Sequence, residues 1–225
     1  GLGVTQDYVK AKDYYEQAAG QGSASALNQL GCLYQEGLGV TQDYVKAKDY
    51  YEQAVEQCNI SALNSLGWLY QHGLGVEKDY TKAKECYEQA VEKEEPRGYL
   101  SLSRFYTKIE EYKNKEQAFF YGEKARLLFE KISSKSIYEF DYLHLLYIRG
   151  LGGEIDLEKA QSYLDQIFEK ANAYQLYGLK GIYERGNGTR PQDLELAEKY
   201  NQLAIKKGYF YGKDNSLTFL PFFTE

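Results

Sequence analysis

The stretch GLGVTQDYVKAKDYYEQA occupies residues 1–18 and occurs again, letter for letter, at residues 37–54. A third, slightly altered copy, GLGVEKDYTKAKECYEQA, occupies residues 73–90, so the offset is 36 residues both times. Self-similarity at a fixed period of about 20 to 50 residues is the signature of a solenoid of stacked supersecondary units. In such an array each unit contacts mainly its neighbours, and the whole presents a long curved surface to partners. The question of function therefore becomes the question of what binds that surface.

Each repeat unit reads as two helices joined by a short loop, here called helix A and helix B. Apolar residues at the three-and-four spacing of one helical face, such as Leu27, Leu30 and Tyr34, predict helix A before the loop. The first loop glycine, as in Gly37, is typical of a left-handed helix end. An aspartate that ends each loop is expected to cap helix B. These aspartates are Asp7, Asp43 and Asp79.

Two residues mark the register of the repeat along the chain. A helix-A tyrosine recurs at Tyr34, Tyr70, Tyr106, Tyr147 and Tyr183, and a helix-B alanine recurs at Ala11, Ala47, Ala83, Ala118, Ala160 and Ala197. The step from that alanine to the next tyrosine is 23 residues in four cases and 29 residues between Ala118 and Tyr147. We therefore expect a longer helix B there, an insertion around residues 131–136, and a local change of superhelical curvature.

These motifs resemble Sel1-like repeats, which are relatives of tetratricopeptide repeats. The resemblance rests on AxAxxxLGxxY in helix A, GxGV in the loop and DxxKAxxYYxxA across helix B. It is strong from residue 1 to about 95 and over 150–208, and weak over 96–149, where Ser103 replaces the motif glycine. The resemblance implies an all-α fold, an α/α superhelix (solenoid) of about six helix–loop–helix repeats that acts as an adaptor or scaffold. Members take part in bacterial signalling, secretion and host interaction, and in eukaryotic membrane-protein quality control.

The repeat frame predicts one solenoid over residues 1–208, followed by a distinct C-terminal segment. Its units are expected at about 1–20 (a half repeat), 23–57, 59–93, 96–132, 136–171 and 172–208. Residues 209–225 are rich in Phe, Tyr and Leu and are expected to cap the last repeat, the alternatives being a further repeat or docking on another protein. Since the chain opens within a repeat and contains no Met, we expect more repeats before residue 1, or a second copy packed there.

Composition argues against several classes of partner. The net charge of -6 and the pI near 5.2 disfavour a general nucleic-acid-binding role. No run approaches the roughly 18 apolar residues of a membrane-spanning helix, and no secretory leader opens the chain. The residues leave the compartment and oligomeric state open. We retain the bacterial periplasm, secretion and delivery into a host cell as alternatives, with any targeting signal outside this chain.

The residue types that carry chemistry are sparse. Cys32, Cys58 and Cys86 are an odd set and predict free thiols, although one bridge between neighbouring repeats stays open. His72 and His144 have no partner at metal-ligand spacing and are interpreted as structural or surface residues. The glycine loops lack the strand and lysine of nucleotide-binding loops. The sequence thus predicts no metal, no cofactor and no enzymatic activity.

A stripe on helix A is the candidate binding surface. Counted from the helix-A tyrosine, positions nine, six and two before it, and one and two after it, share one helical face. By analogy with tetratricopeptide repeats this face should line the concave groove. Its residue types vary between repeats while the core positions stay constant, which favours recognition over the alternative of a solvated, drifting surface. The expected groove residues are Asn28, Asn64, Trp68, His72, Arg97, Arg104, Lys108, Tyr138, Asp141, Arg149, Tyr174, Tyr177 and Arg185.

The stripe becomes more basic and aromatic toward the C-terminal repeats, although the protein as a whole is acidic. Arginine and aromatic residues dominate binding hot spots. The sequence therefore predicts a non-catalytic protein–protein interaction scaffold whose groove holds a protein or peptide segment, one that is acidic or bears a free carboxylate. The alternative is an architectural repeat region of a larger enzyme or receptor whose active domain lies outside this chain. A hydrolase is disfavoured because the sequence offers no group of titratable residues that is expected to meet at one site.

Overall fold

The computed structural model describes residues 8–186 and 192–208, and these residues form eleven α-helices. The helices are α1 (Tyr8–Gly20), α2 (Ala24–Glu36), α3 (Tyr44–Glu56), α4 (Ile60–His72), α5 (Tyr80–Glu92), α6 (Pro96–Lys108), α7 (Lys115–Lys131), α8 (Ile137–Ile148), α9 (Leu157–Lys170), α10 (Ala173–Arg185) and α11 (Leu194–Lys206). A short 3-10 turn, Glu110–Tyr112, precedes α7. Even-numbered helices are A helices and odd-numbered ones are B helices. The prediction of an all-helical fold of about six paired repeats is confirmed.

The chain divides into two compact units, which are described separately. The N-terminal unit comprises residues 6–131 and 150–154 and contains α1 to α7. The C-terminal unit contains α8 to α11. In both units each A helix packs most extensively against the B helix that follows it. In the N-terminal unit each B helix also packs against the next A helix, so neighbouring repeats share a continuous interface. The predicted cap at residues 209–225 lies outside the described residues.

Several B helices begin with an aspartate cap, as the sequence predicted for Asp43 and Asp79. Asp43 and Asp79 accept hydrogen bonds from the backbone N–H three residues later, at 3.0 and 2.9 Å, which satisfies one exposed donor of each helix start. Asp156 and Asp193 do the same for α9 and α11. The prediction is therefore confirmed for Asp43 and Asp79, whereas Asp7 lies outside the described residues.

The two glycines of the GLG loop have different tasks. Gly73 has φ 67° and ends α4 in the left-handed conformation, where its N–H donates to the carbonyl of Leu69. Gly75 also has φ 67°, and a Cβ there would lie 2.5 Å from the backbone carbon of Tyr44. The second glycine thus lets the loop rest directly on the first turn of the preceding B helix. This contact ties the repeat to the one before it at the loop as well as through the helices.

A glycine and a tyrosine interlock inside two of the repeats. The motif glycine of helix A leaves a hollow that the second tyrosine of helix B fills, as Gly31 does for Tyr51 and Gly67 for Tyr87. Both tyrosine rings are buried, at 0% and 3% exposure. The LGxxY motif on helix A and the YYxxA motif on helix B are therefore two halves of one packing arrangement.

In the weakly matching repeat, formed by α6 and α7, the larger residue of this pair of positions lies on helix A and the glycine lies on helix B. Ser103 occupies the position of the motif glycine, and Gly122 occupies the position of the interlocking tyrosine. The Ser103 hydroxyl donates to the carbonyl of Ala118 at 2.6 Å. A Cβ at Gly122 would lie 2.5 Å from the backbone nitrogen of Gly152, so the next loop fills the space left by the ring. The loss of the motif glycine on helix A is therefore accompanied by the loss of the motif tyrosine on helix B, and the two changes compensate for each other.

The other tyrosine pair, one ring from each helix, recurs in both units. The pairs are Tyr34–Tyr50 (5.5 Å between centroids), Tyr106–Tyr121 (5.7 Å), Tyr147–Tyr163 (5.8 Å) and Tyr183–Tyr200 (5.7 Å). Offset ring pairs at this distance stabilise a fold by about 0.5–1.5 kcal/mol beyond their buried area. In α4 and α5 the partner of Tyr70 is replaced by Cys86, which is buried. The abundance of tyrosine thus serves the packing within repeats.

The predicted elongation of the fourth B helix is confirmed. Helix α7 has 17 residues, compared with 13 residues in α3 and α5. The inserted residues end at Ser136, which caps α8 and is bonded in return by the side chain of Glu139.

The three cysteines are free thiols, with Cys58 exposed, Cys32 half-buried and Cys86 buried, as the sequence predicted. Among the described residues, no helix is both long and apolar enough to span a bilayer.

Candidate protein-binding surface

The predicted groove residues divide between the two units. Those in the N-terminal unit are Asn28, Asn64, Trp68, His72, Arg97, Arg104 and Lys108, on α2, α4 and α6. Those in the C-terminal unit are Tyr138, Asp141, Arg149, Tyr174, Tyr177 and Arg185, on or next to α8 and α10. Each set is therefore considered on its own helices.

The last turn of α4 presents an aromatic pair. The rings of Trp68 and His72 lie 4.9 Å apart between centroids with an interplanar angle of 40°. Nδ1 of His72 lies 2.9 Å from the carbonyl oxygen of Trp68. Because that oxygen only accepts, Nδ1 carries the proton, and Nε2 of the neutral ring is left as the acceptor. The bond fixes the orientation of the imidazole over the indole.

A positive field surrounds this aromatic pair. Burial lowers the pKa of His72, and the charges of Lys78, Arg104 and Lys108 lower it further, against the hydrogen bond to the Trp68 carbonyl. His72 keeps solvent-exposed surface although part of its ring is enclosed by the protein, Lys108 is exposed, and Arg104 is half-buried. The adjoining ends of α4 and α6 therefore form a cationic, aromatic surface in an acidic protein.

Arg97 extends the same surface toward α2. It is half-buried at the start of α6. Burial raises the pKa of the Cys32 thiol on α2, and the charge of Arg97 acts in the opposite direction. An arginine of α6 is thus within electrostatic range of a residue two repeats earlier. The stripe positions of α2, α4 and α6 are here called the helix-A face of the N-terminal unit.

Two asparagines occupy equivalent positions on this face, and both differ from the expectation of a solvated stripe. Asn64 on α4 is only 3% exposed, and among the described residues neither its Nδ2 nor its Oδ1 has a hydrogen-bond partner. Asn28 on α2 is half-buried, and its buried Oδ1 likewise has no partner in the described part of the chain. A buried polar group without a partner costs about 1–3 kcal/mol, and such groups are few in native proteins. These two amides are therefore able to hydrogen-bond to a group outside the described chain, such as an ordered water or a ligand.

The column directly after the helix-A tyrosine has a structural role that the sequence did not indicate. Oε1 of Gln35 accepts a hydrogen bond from the Tyr51 hydroxyl at 3.0 Å. Oε1 of Gln71 accepts one from the Tyr87 hydroxyl at 3.2 Å. Since both tyrosines are buried, these glutamines satisfy hydroxyls of the core. The recurrence of Gln with Tyr at a fixed separation was the available signal.

The assignment of Asp141 to the groove is wrong. Its side chain is 0% exposed, and its Oδ1 accepts hydrogen bonds from the hydroxyls of Tyr183 (2.7 Å) and Tyr200 (3.3 Å). The reason is that every residue of α8 from Phe140 to Tyr147 is buried, so the middle of this helix has no solvent side. Asp141 is a polar anchor inside the C-terminal unit.

The remaining predicted residues of the C-terminal unit are more accessible but do not form one cluster. Tyr138 is 42% exposed near the start of α8, and Arg149 is exposed just after its end. At 1.5 Å per residue their backbones are about 16 Å apart along the axis. On α10, Arg185 is exposed, and Lys180 lies 4.8 Å from the centre of the half-buried Tyr177 ring. The side chain of Tyr174 lies outside the described part of the chain.

The features that could hold a metal ion or a small ligand were compared with the predicted residues within the described part of the chain. Among the described residues, no group of three or more His, Cys, Asp or Glu side chains is arranged to hold a metal ion. A hollow of about 550 Å³ runs along α9, between Leu157 and Glu169. It is lined by that helix alone, and none of the predicted groove residues contributes to it.

The profile of the Sel1 repeat matches six segments of the chain, at residues 1–23, 24–57, 60–94, 111–128, 145–172 and 171–209. A Sel1 repeat protein from Oxalobacter formigenes has 28% identity and a TM-score of 0.54, with 91% of this chain and 81% of that chain covered. A Sel1 repeat protein from Klebsiella pneumoniae has 21% identity and a TM-score of 0.54, with 88% and 93% covered. The immunity protein Pa5087 from Pseudomonas aeruginosa has 18% identity and a TM-score of 0.50, with 90% and 75% covered. The last two similarities concern the fold alone. No curated protein matches the sequence.

Proposed function

The chain belongs to the Sel1 repeat family, and on that premise we propose that it is a non-catalytic scaffold that binds a protein segment on the helix-A face of its N-terminal unit. Repeat arrays of this kind generally act through extended surfaces that bind other proteins. The observation that supports the proposal most directly is the Trp68–His72 pair within the field of Arg104, Lys108 and Lys78. A large aromatic side chain beside an arginine is the usual composition of a binding hot spot.

Charge indicates the chemistry of the partner. The protein carries a net charge of -6, so an acidic partner is repelled at long range and must be held by a local positive surface. The helix-A face supplies that surface through Arg97, Arg104 and Lys108, whose charges act on Cys32 and His72. Guanidinium groups bind carboxylates with paired, charge-assisted hydrogen bonds. The proposed ligand is therefore an acidic segment of another protein, with Asp or Glu side chains or a free carboxylate.

The test uses a fluorescent hexaglutamate peptide with blocked ends, and hexaglutamine as its uncharged equivalent. We expect hexaglutamate to bind, and the variant Trp68→Ala/Arg104→Ala to bind it at least about tenfold more weakly, a loss of roughly 1.4 kcal/mol. The matched control, Phe119→Ala/Lys131→Ala, removes one exposed aromatic ring and one cation from α7, a B helix. It should bind as the wild type does. Helicity by circular dichroism checks that both variants fold.

Two results would count against the proposal. Absence of hexaglutamate binding, or equal affinity for hexaglutamate and hexaglutamine, would remove the acidic segment as the ligand. Equal loss in both double variants would remove the helix-A face as the site. The variant Arg149→Ala tests the C-terminal unit separately, and the proposal expects it to retain affinity. Affinity capture of proteins with the same variants then identifies the natural partner.

A further inference from the structure

We propose that the outer face of α7 is a self-association surface, on which a second copy of this chain packs its own α7 in the antiparallel direction. The residues of this surface, here called the α7 seam, are Glu116, Phe120, Glu123, Lys124, Leu127 and Lys131. The α7 seam lies on a B helix, whereas the proposed peptide surface lies on A helices. Self-association is therefore a second function, independent of peptide binding.

The α7 seam lies opposite the side of α7 that packs into its own repeat. At about 100° per residue, Phe120 and Leu127 point in nearly the same direction, and Ala125 and Phe129 point the opposite way. Phe120 and Leu127 are 47% and 42% exposed, whereas Ala125 and Phe129 are buried. The alternating spacing of four and three residues from Glu116 through Phe120 and Glu123 to Leu127 is that of a coiled-coil seam. Helix α7 thus has two packing faces, one filled by its repeat and one open.

The apolar character of this outer face is specific to α7. Phe120 and Leu127 stand two and nine residues after the register alanine, Ala118. The equivalent residues are Asp49 and Glu56 on α3, Glu85 and Glu92 on α5, Ser162 and Glu169 on α9, and Lys199 and Lys206 on α11. Packing within a repeat is satisfied by polar residues at both positions, so it does not explain the phenylalanine and the leucine. Exposed apolar patches rimmed by charge mark interaction sites.

The charges of the α7 seam match a second copy of the same seam. A two-fold axis between residues 123 and 124 places Phe120 of one copy opposite Leu127 of the other. The same axis places Glu123 opposite Lys124, and Glu116 opposite Lys131. Each of these complementary pairs occurs twice, because a two-fold interface is built from the same patch on both copies. A parallel arrangement would instead bring glutamate to glutamate and lysine to lysine, which is unfavourable.

The cation beside the phenylalanine ring supports this arrangement. Nζ of Lys124 lies 5.8 Å from the centre of the Phe120 ring, so the aliphatic part of the lysine borders the apolar surface. Its ammonium group is then at the edge of the interface, where Glu123 of the other copy would be.

Charge also separates a second copy from a membrane surface. The two glutamates and two lysines of the α7 seam sum to zero, so anionic lipid headgroups gain no electrostatic attraction. A helix that binds to a membrane surface carries instead an excess of lysine and arginine around its apolar side. A balanced, self-complementary pattern favours a second copy as the occupant.

The size of the surface sets the strength of the contact. From Glu116 to Lys131 the α7 seam is about 23 Å long. One helix on each side buries less than the roughly 1,200 Å² at which stable interfaces begin, and contacts of that size are weak and reversible. The dimer should therefore form and dissociate with protein concentration.

Sedimentation equilibrium of the whole chain, from about 1 µM to about 1 mM, tests self-association over the range of weak complexes. The average mass of the wild type should rise from 25.9 kDa toward twice that value. Phe120→Glu/Leu127→Glu should raise the dissociation constant at least about tenfold. The matched control is Leu194→Glu/Ile205→Glu, which removes two exposed apolar side chains from another B helix, α11, and should dimerise as the wild type does. Circular dichroism checks folding.

Inversion of the charges tests the pairing itself. The acidic variant Lys124→Glu/Lys131→Glu and the basic variant Glu116→Lys/Glu123→Lys should each dimerise at least about tenfold more weakly than the wild type. An equimolar mixture of the two should restore association, because every glutamate of one copy then faces a lysine of the other. This recovery shows that the separate losses do not result from unfolding.

Disulfide formation tests the direction of the helices. In a Cys58→Ser background, which removes the exposed native thiol, Phe120→Cys is mixed with Leu127→Cys. Oxidation should link the two variants to each other and leave each variant alone as a monomer, since the two copies of residue 120 are then too far apart for a disulfide.

Four results would overturn the proposal. They are a wild type that stays monomeric at every concentration, a dimer that survives Phe120→Glu/Leu127→Glu, a mixture of the charge variants that does not associate, and linkage of residue 120 to itself. A fifth concerns the alternative occupant. Binding of monomeric protein to vesicles of phosphatidylcholine and phosphatidylglycerol, lost in Phe120→Glu/Leu127→Glu, would assign this face to a membrane.

Discussion

Gly67 on α4 lies so close to the ring of Tyr87 on α5 that a Cβ at residue 67 would sit 2.7 Å from Cε1 of the ring. The Ala83 carbonyl oxygen, at 3.1 Å from the same point, leaves the ring little room to retreat. The contact defines a volume relation between the two helices of a repeat: where helix A lacks a side chain, helix B supplies an aromatic ring. Stability should be sensitive to either member of the pair.

Gly67→Ala should destabilise the protein. Overpacking of a closely fitted core costs about 1–3 kcal/mol, which exceeds the gain of about 1 kcal/mol expected for Gly→Ala within a helix. Gly178→Ala on α10 is the matched control, because among the described residues a Cβ there meets no atom within 4 Å beyond the backbone of its own helix. That variant should be stabilised by up to about 1 kcal/mol. Urea unfolding measures both changes, and a Gly67→Ala variant as stable as the wild type would contradict the packing account.

Asp141 should matter for stability and leave binding of the acidic peptide unchanged. Asp141→Ala leaves the buried hydroxyls of Tyr183 and Tyr200 without their acceptor, at a cost of about 1–3 kcal/mol for each. Asp141→Asn keeps an oxygen at the position to which both hydroxyls donate, so its loss should be smaller. Thermal unfolding of the two variants gives the comparison. Equal losses would indicate that charge, and not the acceptor, is what this site requires.

The repeat pattern predicted the helices, their caps and the long α7 because each depends on local sequence. Asp43 caps α3 through an amide three residues away, and Gly73 ends α4 through its own backbone conformation. Burial on the stripe was less predictable because it depends on neighbouring helices. Asp141 was assigned to a solvent-facing column, although it lies in the continuous buried stretch of α8 from Phe140 to Tyr147. Its two tyrosine partners are 42 and 59 residues away, beyond any local pattern.

Asn64 shows a different limit of the sequence. Its helical position correctly placed it on the same side of α4 as Trp68. Its burial, and the lack of a hydrogen-bond partner for either polar atom within the described chain, result from side chains packed around it in three dimensions. No spacing rule distinguishes an asparagine that water solvates from one that neighbouring side chains cover.

The pKa of His72 should report the charge of the helix-A face. Burial lowers this pKa, and the charges of Lys78, Arg104 and Lys108 add to the effect. Lys108→Ala and Arg104→Ala should each raise it, and bound hexaglutamate should raise it in the wild type. The measurement is an NMR titration of the ring protons, with His144, the other histidine, as an internal comparison. A His72 pKa that does not respond to either substitution would remove the electrostatic argument.

The shift of the His72 pKa determines in which direction stability and affinity change with pH. Since the folded-state pKa of His72 is lowered, its stabilising contribution is present above the unfolded-state value, about 6.5, and is lost as the pH falls through the folded-state value. Affinity for an acidic segment has the opposite dependence. A ligand that raises the pKa binds the protonated form more tightly, so hexaglutamate affinity should increase as the pH falls through this range. His72→Gln should remove that increase.

The three thiols should differ widely in reactivity toward an alkylating reagent. Burial raises the pKa of Cys86 to about 12, and burial also raises the pKa of Cys32. Because the thiolate is the reactive form, both should be protected at neutral pH, whereas Cys58 is exposed. Mass spectrometry should find rapid modification of Cys58 in the native protein and of all three cysteines after denaturation. Rapid native modification of Cys86 would show that the space beside α5 opens readily.

The exchange of volumes between Ser103 and Gly122 determines where this chain can be recombined. If α5 and α7 traded places, the ring of Tyr87 would meet Ser103, and Gly122 would leave a cavity beside Gly67. A crossover between an A helix and its own B helix therefore separates positions whose side-chain volumes are matched. A crossover between one B helix and the next A helix transfers both members together. Chimaeras of this protein should tolerate exchange of whole A–B units far better than exchange of single helices.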